Sequence, residues 1–309
     1  MKIKSTVLKV FDNILDEISV QICDPFLPGY IKDFLTIFIK EKIDKKKFNK
    51  YLSNKSKMDE KNFIDFNFDR KLFIREGVIK FNLEEIANQF RPYIKKYNNY
   101  EKSKNEIYNK SYFYNILRRE ICSQTFYDFL SFGFNNKLND FLTKKFGEVV
   151  FCGGGIYKSP PTTSFKGSQI WHIDKFSINH FKLFINLDDI NENIGPTKVL
   201  SKTTTKDLLR YSFLRKLFRK KVSNFAKAGL NIDSKDLGNA ISKKCTSNVG
   251  NIGTALLAQT GQCLHLGSNN RSKKNRYVLI FHYSKNSRYR ENLTNNLNTG
   301  IYPRYLNEI

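Results

Sequence analysis

The sequence lacks the features that would place it in a membrane or outside the cell. No run approaches the ~20 consecutive apolar residues of a membrane-spanning helix. The first twenty residues carry charges at Lys9, Asp12, Asp16 and Glu17, where a signal peptide needs an apolar segment. Five scattered cysteines, an odd number without any C-x-x-C pair, argue against a disulfide framework and a zinc ribbon. We therefore expect a cytoplasmic protein in a reducing compartment.

Acidic residues are scarce, and this shortage has two interpretations. The chain has 29 Asp and Glu against 53 Lys and Arg, a formal net charge of +24. Such an excess is typical of proteins that bind nucleic acid or anionic membranes. The lysines occur along the whole chain, however, which favours a general compositional bias over a dedicated basic patch. A nucleic-acid partner is thus not the preferred hypothesis, although a polyanionic partner remains an alternative.

The composition is that of a folded protein, with 40% hydrophobic and 14% aromatic residues in 309. We expect a single domain over 1–309, in which residues 1–145 are mostly helical support. Apolar residues recur at helical spacing over 83–97 and again over 111–134, and both segments are predicted helices. Between residues 72 and 82, the pattern predicts a turn at Gly77 followed by a short strand.

Residues 146–290 have a different pattern, that of short β-branched and aromatic runs separated by turn residues. In RYVLIFHYS (276–284), alternate residues should face opposite sides of a sheet. These runs predict a mainly β fold with flanking helices, an antiparallel sandwich or jelly roll. A basic helical insert over 201–250 interrupts them. Its apolar side is expected to pack on its own domain, with an anionic membrane or a partner as the alternative.

Histidine is also rare, and two of the four histidines carry the strongest chemical indication. His172 and Asp174 form an H-x-D motif at the end of the run SQIWHID. In a strand, residues two apart point to the same side, so an imidazole and a carboxylate can bind one metal ion. A third ligand from a distant strand would complete the two-histidine, one-carboxylate set typical of non-haem iron(II) oxygenases. Alone, however, an H-x-D motif is common in ordinary loops.

A second segment supplies what H-x-D lacks. His265 lies in QTGQCLHLG, 93 residues after His172, and Arg276 begins the last strong strand eleven residues later. An arginine offers a planar fork that pairs with a carboxylate through two hydrogen bonds. A metal ligand together with a carboxylate anchor is the minimum equipment for binding a chelating keto acid.

The order of these segments resembles the phytanoyl-CoA dioxygenase family, a branch of the iron(II)- and 2-oxoglutarate-dependent oxygenases. The resemblance is carried by SQIWHID, FKLFINLDDINENIGPTKVL, GTALLAQTGQCLHLG and the H-x10-R that ends in NRYVLIFHYS, over roughly residues 145–285. The chain departs from the family at SKTT (201–204), where many members have Gly-Ser-His, and at Gly267, where some have serine. These departures affect substrate choice and 2-oxoglutarate contacts rather than the metal ligands.

The resemblance implies a fold, cofactors and roles for individual residues. The fold would be a double-stranded β-helix, a cupin-like jelly roll. Fe(II) would be bound by His172, Asp174 and His265, and 2-oxoglutarate would chelate the iron with its far carboxylate on Arg276. With O2, such an enzyme would hydroxylate a small or lipid-like molecule and release succinate and CO2. Lys182, which alternates with Phe184 and Asn186, is a further candidate for binding the cosubstrate, with a solvated lysine at a strand edge as the alternative.

Two other functions remain open. A catalytically silent jelly-roll protein could bind a polyanion through its basic surface, and a cupin-type enzyme could use zinc or manganese at the same ligands. The substrate and the oligomeric state are not indicated by the sequence. Among the remaining motifs, Gly153–Gly155 is expected to form a bulge rather than a phosphate loop. His180 is expected at the surface, and His282 and Trp171 are expected to be packed residues.

Overall fold

The computed structural model describes residues 66–97, 112–117, 123–134, 137–147, 149–162, 167–169, 171–174, 179–207 and 244–284. Residues 1–65, which belong to the predicted mostly helical N-terminal part, and most of the predicted insert lie outside them. The helices are α1 (Arg70–Glu76), α2 (Glu84–Tyr97), α3 (Ser123–Phe134) and α4 (Lys137–Phe146). The strands are β1 (Val78–Asn82), β2 (Tyr114–Asn115), β3 (Val150–Ser159), β4 (His180–Asn186), β5 (Thr197–Leu200), β6 (Cys245–Ser247), β7 (Thr254–Ala258), β8 (His265–Gly267) and β9 (Arg276–Ser284).

The strands form two antiparallel sheets. The larger has the order β1-β7-β4-β9-β3-β2, and the smaller has the order β6-β5-β8. Helices precede or separate the first strands of the larger sheet, so the expected combination of antiparallel sheet and flanking helices is confirmed. Within the described residues, no helix is both long enough and apolar enough to cross a bilayer.

The predicted turn at Gly77 is a helix end that leads directly into β1. Asp69 caps the start of α1 by accepting a hydrogen bond from the backbone N–H of Leu72 at 2.9 Å. At the other end, Gly77 has φ 71°, and its N–H donates to the Phe73 carbonyl at 2.7 Å. A side chain at Gly77 would also meet Cys263 Sγ at 2.8 Å, so glycine suits both the dihedral angle and the packing.

The two predicted helices fared differently. The prediction over 83–97 is confirmed by α2. The prediction over 111–134 is correct only for α3, because Tyr114 and Asn115 form β2 and pair with Lys158 and Tyr157 of β3. Both helical and strand periods fit a short aromatic run, and here pairing with the edge of a distant strand decides between them.

The alternation predicted for β9 divides the core into two buried clusters. Tyr277, Leu279, Phe281 and Tyr283 belong to a large cluster shared with the helices, and we call this side of the sheet the outer face. Val278 and Ile280 belong to a second cluster with Val199 of the smaller sheet, and we call this side the inner face. Arg276 and His282 share the alternation of the inner face.

The glycine triplet in β3 forms an irregularity in the sheet, as predicted. The register between β3 and β9 shifts between Phe151 and Gly153, which is the mark of a β-bulge. A side chain at Gly154, whose φ is 135°, would lie 1.9 Å from the Ile280 carbonyl oxygen. The close approach of the two strands therefore requires glycine there.

The predicted basic insert is described only at its two ends. Residues 202–207 are helical, in agreement with the expectation, and residues 208–243 lie outside the described part. At the far end, Cys245–Ser247 form strand β6 rather than a helix, because they pair with Lys198, Val199 and Leu200 of β5.

Candidate metal centre

A pair of backbone hydrogen bonds brings the two histidines together across the 93 residues that separate them. His172 N donates to the His265 carbonyl at 3.0 Å, and His265 N donates to the His172 carbonyl at 2.9 Å. The two residues thus form an isolated antiparallel bridge beside β8. Their imidazole rings tilt toward each other with centroids 4.2 Å apart.

Asp174 lies beside the same pair. Its backbone N–H donates to the Thr260 carbonyl at 3.0 Å, which fixes the chain two residues after His172. Its Oδ2 lies 3.6 Å from His265 Nε2. One ligand atom each from His172, Asp174 and His265 falls within 4.8 Å of the other two, so these side chains can hold one metal ion.

The tautomer of His265 leaves a lone pair for a metal. Its Nδ1 lies 3.0 Å from the Cys263 carbonyl, which can only accept a hydrogen bond, so the proton is on Nδ1. Nε2 is buried and has no hydrogen-bond partner among the described residues. Burial lowers the pKa of His265 to about 3, which keeps the imidazole neutral. A neutral, oriented imidazole with an unused nitrogen is the form that binds metals.

Asp174 is ionised despite its burial. Burial by itself would raise the pKa of this carboxyl, but the positive Lys182 beside it holds the pKa well below its ordinary value. Lys182 Nζ lies 2.8 Å from Asp174 Oδ2. That oxygen makes no hydrogen bond of good geometry, so the contact is an ion pair rather than an aligned hydrogen bond.

The other two histidines lie close by, so all four histidines of the sequence gather in one region. His180 Nε2 is 3.8 Å from Asp174 Oδ2, and the His180 ring centroid is 5.6 Å from that of His282. The expectation that His180 lies at the surface is wrong, because its side chain is 0% exposed at the start of β4. Burial lowers the pKa of His180 to about 4, so its ring is neutral.

Arg276 is a buried cation without a counter-ion among the described residues. Its side chain is 2% exposed, and neither Nε nor Nη1 has a described hydrogen-bond partner. Burial lowers its pKa to about 10, which leaves the guanidinium charged at neutral pH. Its Nη2 lies 3.7 Å from the position that a Cβ would take on Gly267, two residues beyond His265 in β8. An unpaired buried charge is costly, and a bound anion would offset that cost.

The two cations of the inner face are well separated. Lys182 pairs in register with His282, and Arg276 lies six residues before His282 in β9, roughly 20 Å along the strand. Lys182 and Arg276 therefore cannot bind the same carboxylate. Contacts instead run in a line from Lys182 to Asp174, from Asp174 to His265, and along β8 to Gly267 and Arg276.

Sequence patterns did not reveal the backbone supports of the site. The carbonyls of Cys263 and Thr260 orient His265 and Asp174, and no sequence pattern marked either residue for that role. The expected packed position of Trp171 is found, since it packs partly buried against Leu200 and Leu264.

Comparisons with known proteins find similar solved structures, whereas no family model and no curated protein matches the chain. Among solved structures, EvdO2 from Micromonospora carbonacea var. aurantiaca is 12% identical with a TM-score of 0.44, over 72% of this chain and 93% of that one. HygX from Streptomyces hygroscopicus, with nickel and 2-oxoglutarate bound, is 12% identical with a TM-score of 0.43, over 71% and 87%.

SnoN, a non-heme alpha ketoglutarate-dependent epimerase from nogalamycin biosynthesis, is 9% identical with a TM-score of 0.42, over 69% of this chain and 80% of that one. A functional assignment rests on the residues of the site.

Proposed function

We propose that the protein is an Fe(II)- and 2-oxoglutarate-dependent dioxygenase built on a double-stranded β-helix, similar to the phytanoyl-CoA dioxygenase family. The observation that carries the proposal is the combination of two buried groups along β8, one without a hydrogen-bond partner and one without a counter-ion among the described residues. His265 Nε2 is buried without a described partner, and Arg276 is a buried cation without a described anion. A metal chelated by a dicarboxylate would satisfy both.

The donor set fits ferrous iron. Two imidazole nitrogens and one carboxylate oxygen leave several coordination positions open, which an oxygenase needs for its cosubstrate and for O2. Bound iron would supply the chemistry by which O2 oxidises a C–H bond of the substrate while 2-oxoglutarate is converted to succinate and CO2. Because Asp174 supplies the carboxylate ligand, no position is vacated for a halide, and hydroxylation is preferred over halogenation.

The protein's own contribution is binding, orientation and the exclusion of water. His172, Asp174 and His265 hold the metal, and the backbone bridge between the two histidines fixes their separation. Arg276 binds the far carboxylate of 2-oxoglutarate and so sets the direction in which the cosubstrate lies. Apolar side chains of the inner face, among them Phe184, Val278 and Ile280, keep the surroundings dry.

The spacing along β8 suits this arrangement. His265 and Gly267 lie on one side of the strand about 7 Å apart, and the Arg276 guanidinium approaches Gly267. The five-carbon backbone of 2-oxoglutarate spans roughly 5 Å, given C–C bonds of about 1.5 Å. The absence of a side chain at Gly267 leaves the path between the two groups clear. The substrate proposed for the site is a small or lipid-like molecule.

The test is an anaerobic titration of metal-free protein with Fe(II) and 2-oxoglutarate, monitored by the weak visible absorption of the chelate. We expect the band in the unmodified protein. His265→Ala should lose it through loss of iron, whereas Arg276→Ala should bind iron and require far more 2-oxoglutarate. Folded protein that binds neither would contradict the proposal. In that case salt-dependent binding to a polyanion would favour the catalytically silent alternative.

A cupin-type zinc or manganese enzyme is the remaining alternative. It would use the same three ligands but would have no need of Arg276. Tight zinc or manganese binding, together with 2-oxoglutarate affinity that does not change in Arg276→Ala, would favour it. Production of succinate that depends on iron and on a substrate would exclude it.

A further inference from the structure

Lys182 competes with the proposed metal for the carboxylate of Asp174. Lys182 Nζ already lies 2.8 Å from Asp174 Oδ2, the carboxylate that would bind the metal. A divalent ion at Asp174 would face this ammonium at close range in a buried site, where like charges repel strongly. Metal binding must therefore weaken the ion pair and turn the ammonium toward another partner. Asp174 is the only carboxylate that the described part of the chain places within 4.0 Å of Lys182.

The charges of the loaded site do not balance. The metal contributes two positive charges, and Lys182 and Arg276 contribute one each. Against these stand one negative charge on Asp174 and the two of 2-oxoglutarate. His172 and His265 bind a metal as neutral imidazoles and so add no charge. Among the described residues of the site, one positive charge therefore remains in a largely buried environment, and a ligand with a single negative group would neutralise it.

The surplus charge lies away from the proposed cosubstrate. Contacts place Arg276 beyond His265 and Gly267 on one side of Asp174, and Lys182 on the other. 2-Oxoglutarate that extends toward Arg276 therefore leaves the Lys182 side of the metal for the molecule to be oxidised.

The row of inner-face residues that contains Lys182 has open space at its β3 end. Gly153, His282 and Lys182 follow one another in register across β3, β9 and β4. Glycine leaves this row without a side chain at its β3 end, and no described atom lies within 4 Å of the position that a Cβ would take on Gly153. At Gly155, the next inner-face position in β3, the Asn115 side chain fills the corresponding space, so the opening is confined to Gly153. This open space lies in the same row as Lys182, with His282 between them.

We infer that Lys182 is the specificity-determining residue for the substrate, and that the substrate carries a carboxylate or a phosphate ester close to the oxidised carbon. In the metal-free protein the ammonium pairs with Asp174, and in the loaded protein it binds the anionic group of the substrate. This inference rests on the proposed function, since it requires a metal at Asp174. It assigns to Lys182 a partner other than 2-oxoglutarate.

The first test measures nickel affinity in the absence of 2-oxoglutarate by isothermal titration calorimetry. Lys182→Met removes the competing charge and keeps most of the length of the side chain. Nickel should bind this variant at least about tenfold more tightly than it binds the unmodified protein. The matched control is Lys198→Met, because Lys198 forms an ion pair of similar length, 2.7 Å, with Glu192 on the opposite side of β5 from Val199. Its nickel affinity should equal that of the unmodified protein.

The outcomes separate the two proposals. If nickel binds Lys182→Met no more tightly than the unmodified protein, the inference about Lys182 is overturned while the metal centre stands. If none of the three proteins binds nickel, the metal centre fails and the inference fails with it.

The second test identifies the anion in protein loaded with nickel and saturating 2-oxoglutarate. Acetate and methyl phosphate are titrated as anionic probes and acetamide as the neutral control, with melting temperature as the readout. We expect an anion to raise the melting temperature and acetamide to have no effect, and the better anion indicates the class of substrate group. Lys182→Met should bind that anion at least about tenfold more weakly. Equal responses to acetamide, no response to either anion, or an unchanged response in Lys182→Met would each contradict the inference.

Discussion

The two faces of the six-stranded sheet have opposite characters. The outer face is packed with aromatic rings, and Phe281 alone stacks on Phe129 at 4.8 Å and contacts Phe132 at 4.6 Å. The inner face of the same strands carries buried or half-buried polar groups, among them His180, Lys182 and Arg276. Burying apolar rings stabilises a fold, whereas burying charges costs free energy unless they are paired. The apolar packing of the outer face therefore offsets the free-energy cost of the charges buried on the inner face.

The largest effect on stability is expected on the outer face. Phe281→Ala removes a ring that is 0% exposed and contacts three other aromatic rings, so the free energy of unfolding should fall by about 3–5 kcal/mol. Chemical denaturation measures this loss. The protein that remains folded should bind nickel as before, because the variant leaves the inner face intact. Loss of nickel binding well below the denaturation midpoint would show that the two faces are not independent.

An intermediate effect is expected from Arg276→Met, which should weaken 2-oxoglutarate binding without lowering the stability of the protein. The 2-oxoglutarate affinity of the nickel-loaded protein should fall by about 2–3 kcal/mol, because a charged hydrogen-bonding group is lost. The stability of the metal-free protein should be unchanged or higher, since a buried cation without a described partner is removed. Calorimetry and denaturation measure the two quantities.

Arg276→Lys is the control for charge without the planar fork, and it should recover only part of the affinity. A large loss of stability in Arg276→Met would instead indicate that the guanidinium has a structural role.

The smallest effect is expected at the start of α1. Asp69→Ala removes the side-chain oxygen that accepts from Leu72 N, which should lower the free energy of unfolding by about 1 kcal/mol. Asp69→Asn keeps an accepting oxygen and should be nearly neutral. Neither variant should alter nickel affinity, because the cap lies on the helical side. A change in nickel affinity in both variants would show coupling between α1 and the inner face.

Local patterns in the sequence predicted several elements correctly. Helical spacing over 83–97 predicted α2, Gly77 predicted the turn before β1, and alternation over 276–284 predicted which residues of β9 share a face. The aromatic run near Tyr114 was misassigned, because its β2 pairing depends on a strand about forty residues away. The burial of His180 was missed for the same reason, since β4 lies between β7 and β9 and neither neighbour is adjacent in sequence.

The sequence by itself determined the side to which alternate residues point, the H-x-D pair and the position of Arg276 at a strand start, because these follow from the period of a strand and the identity of each residue. Only the tertiary structure decided which groups meet. The bridge between His172 and His265, the ion pair of Lys182 with Asp174 and the absence of a described anion at Arg276 all depend on pairing between segments far apart in the chain. A local pattern specifies a face, but the partner on that face is set by how the sheets pack together.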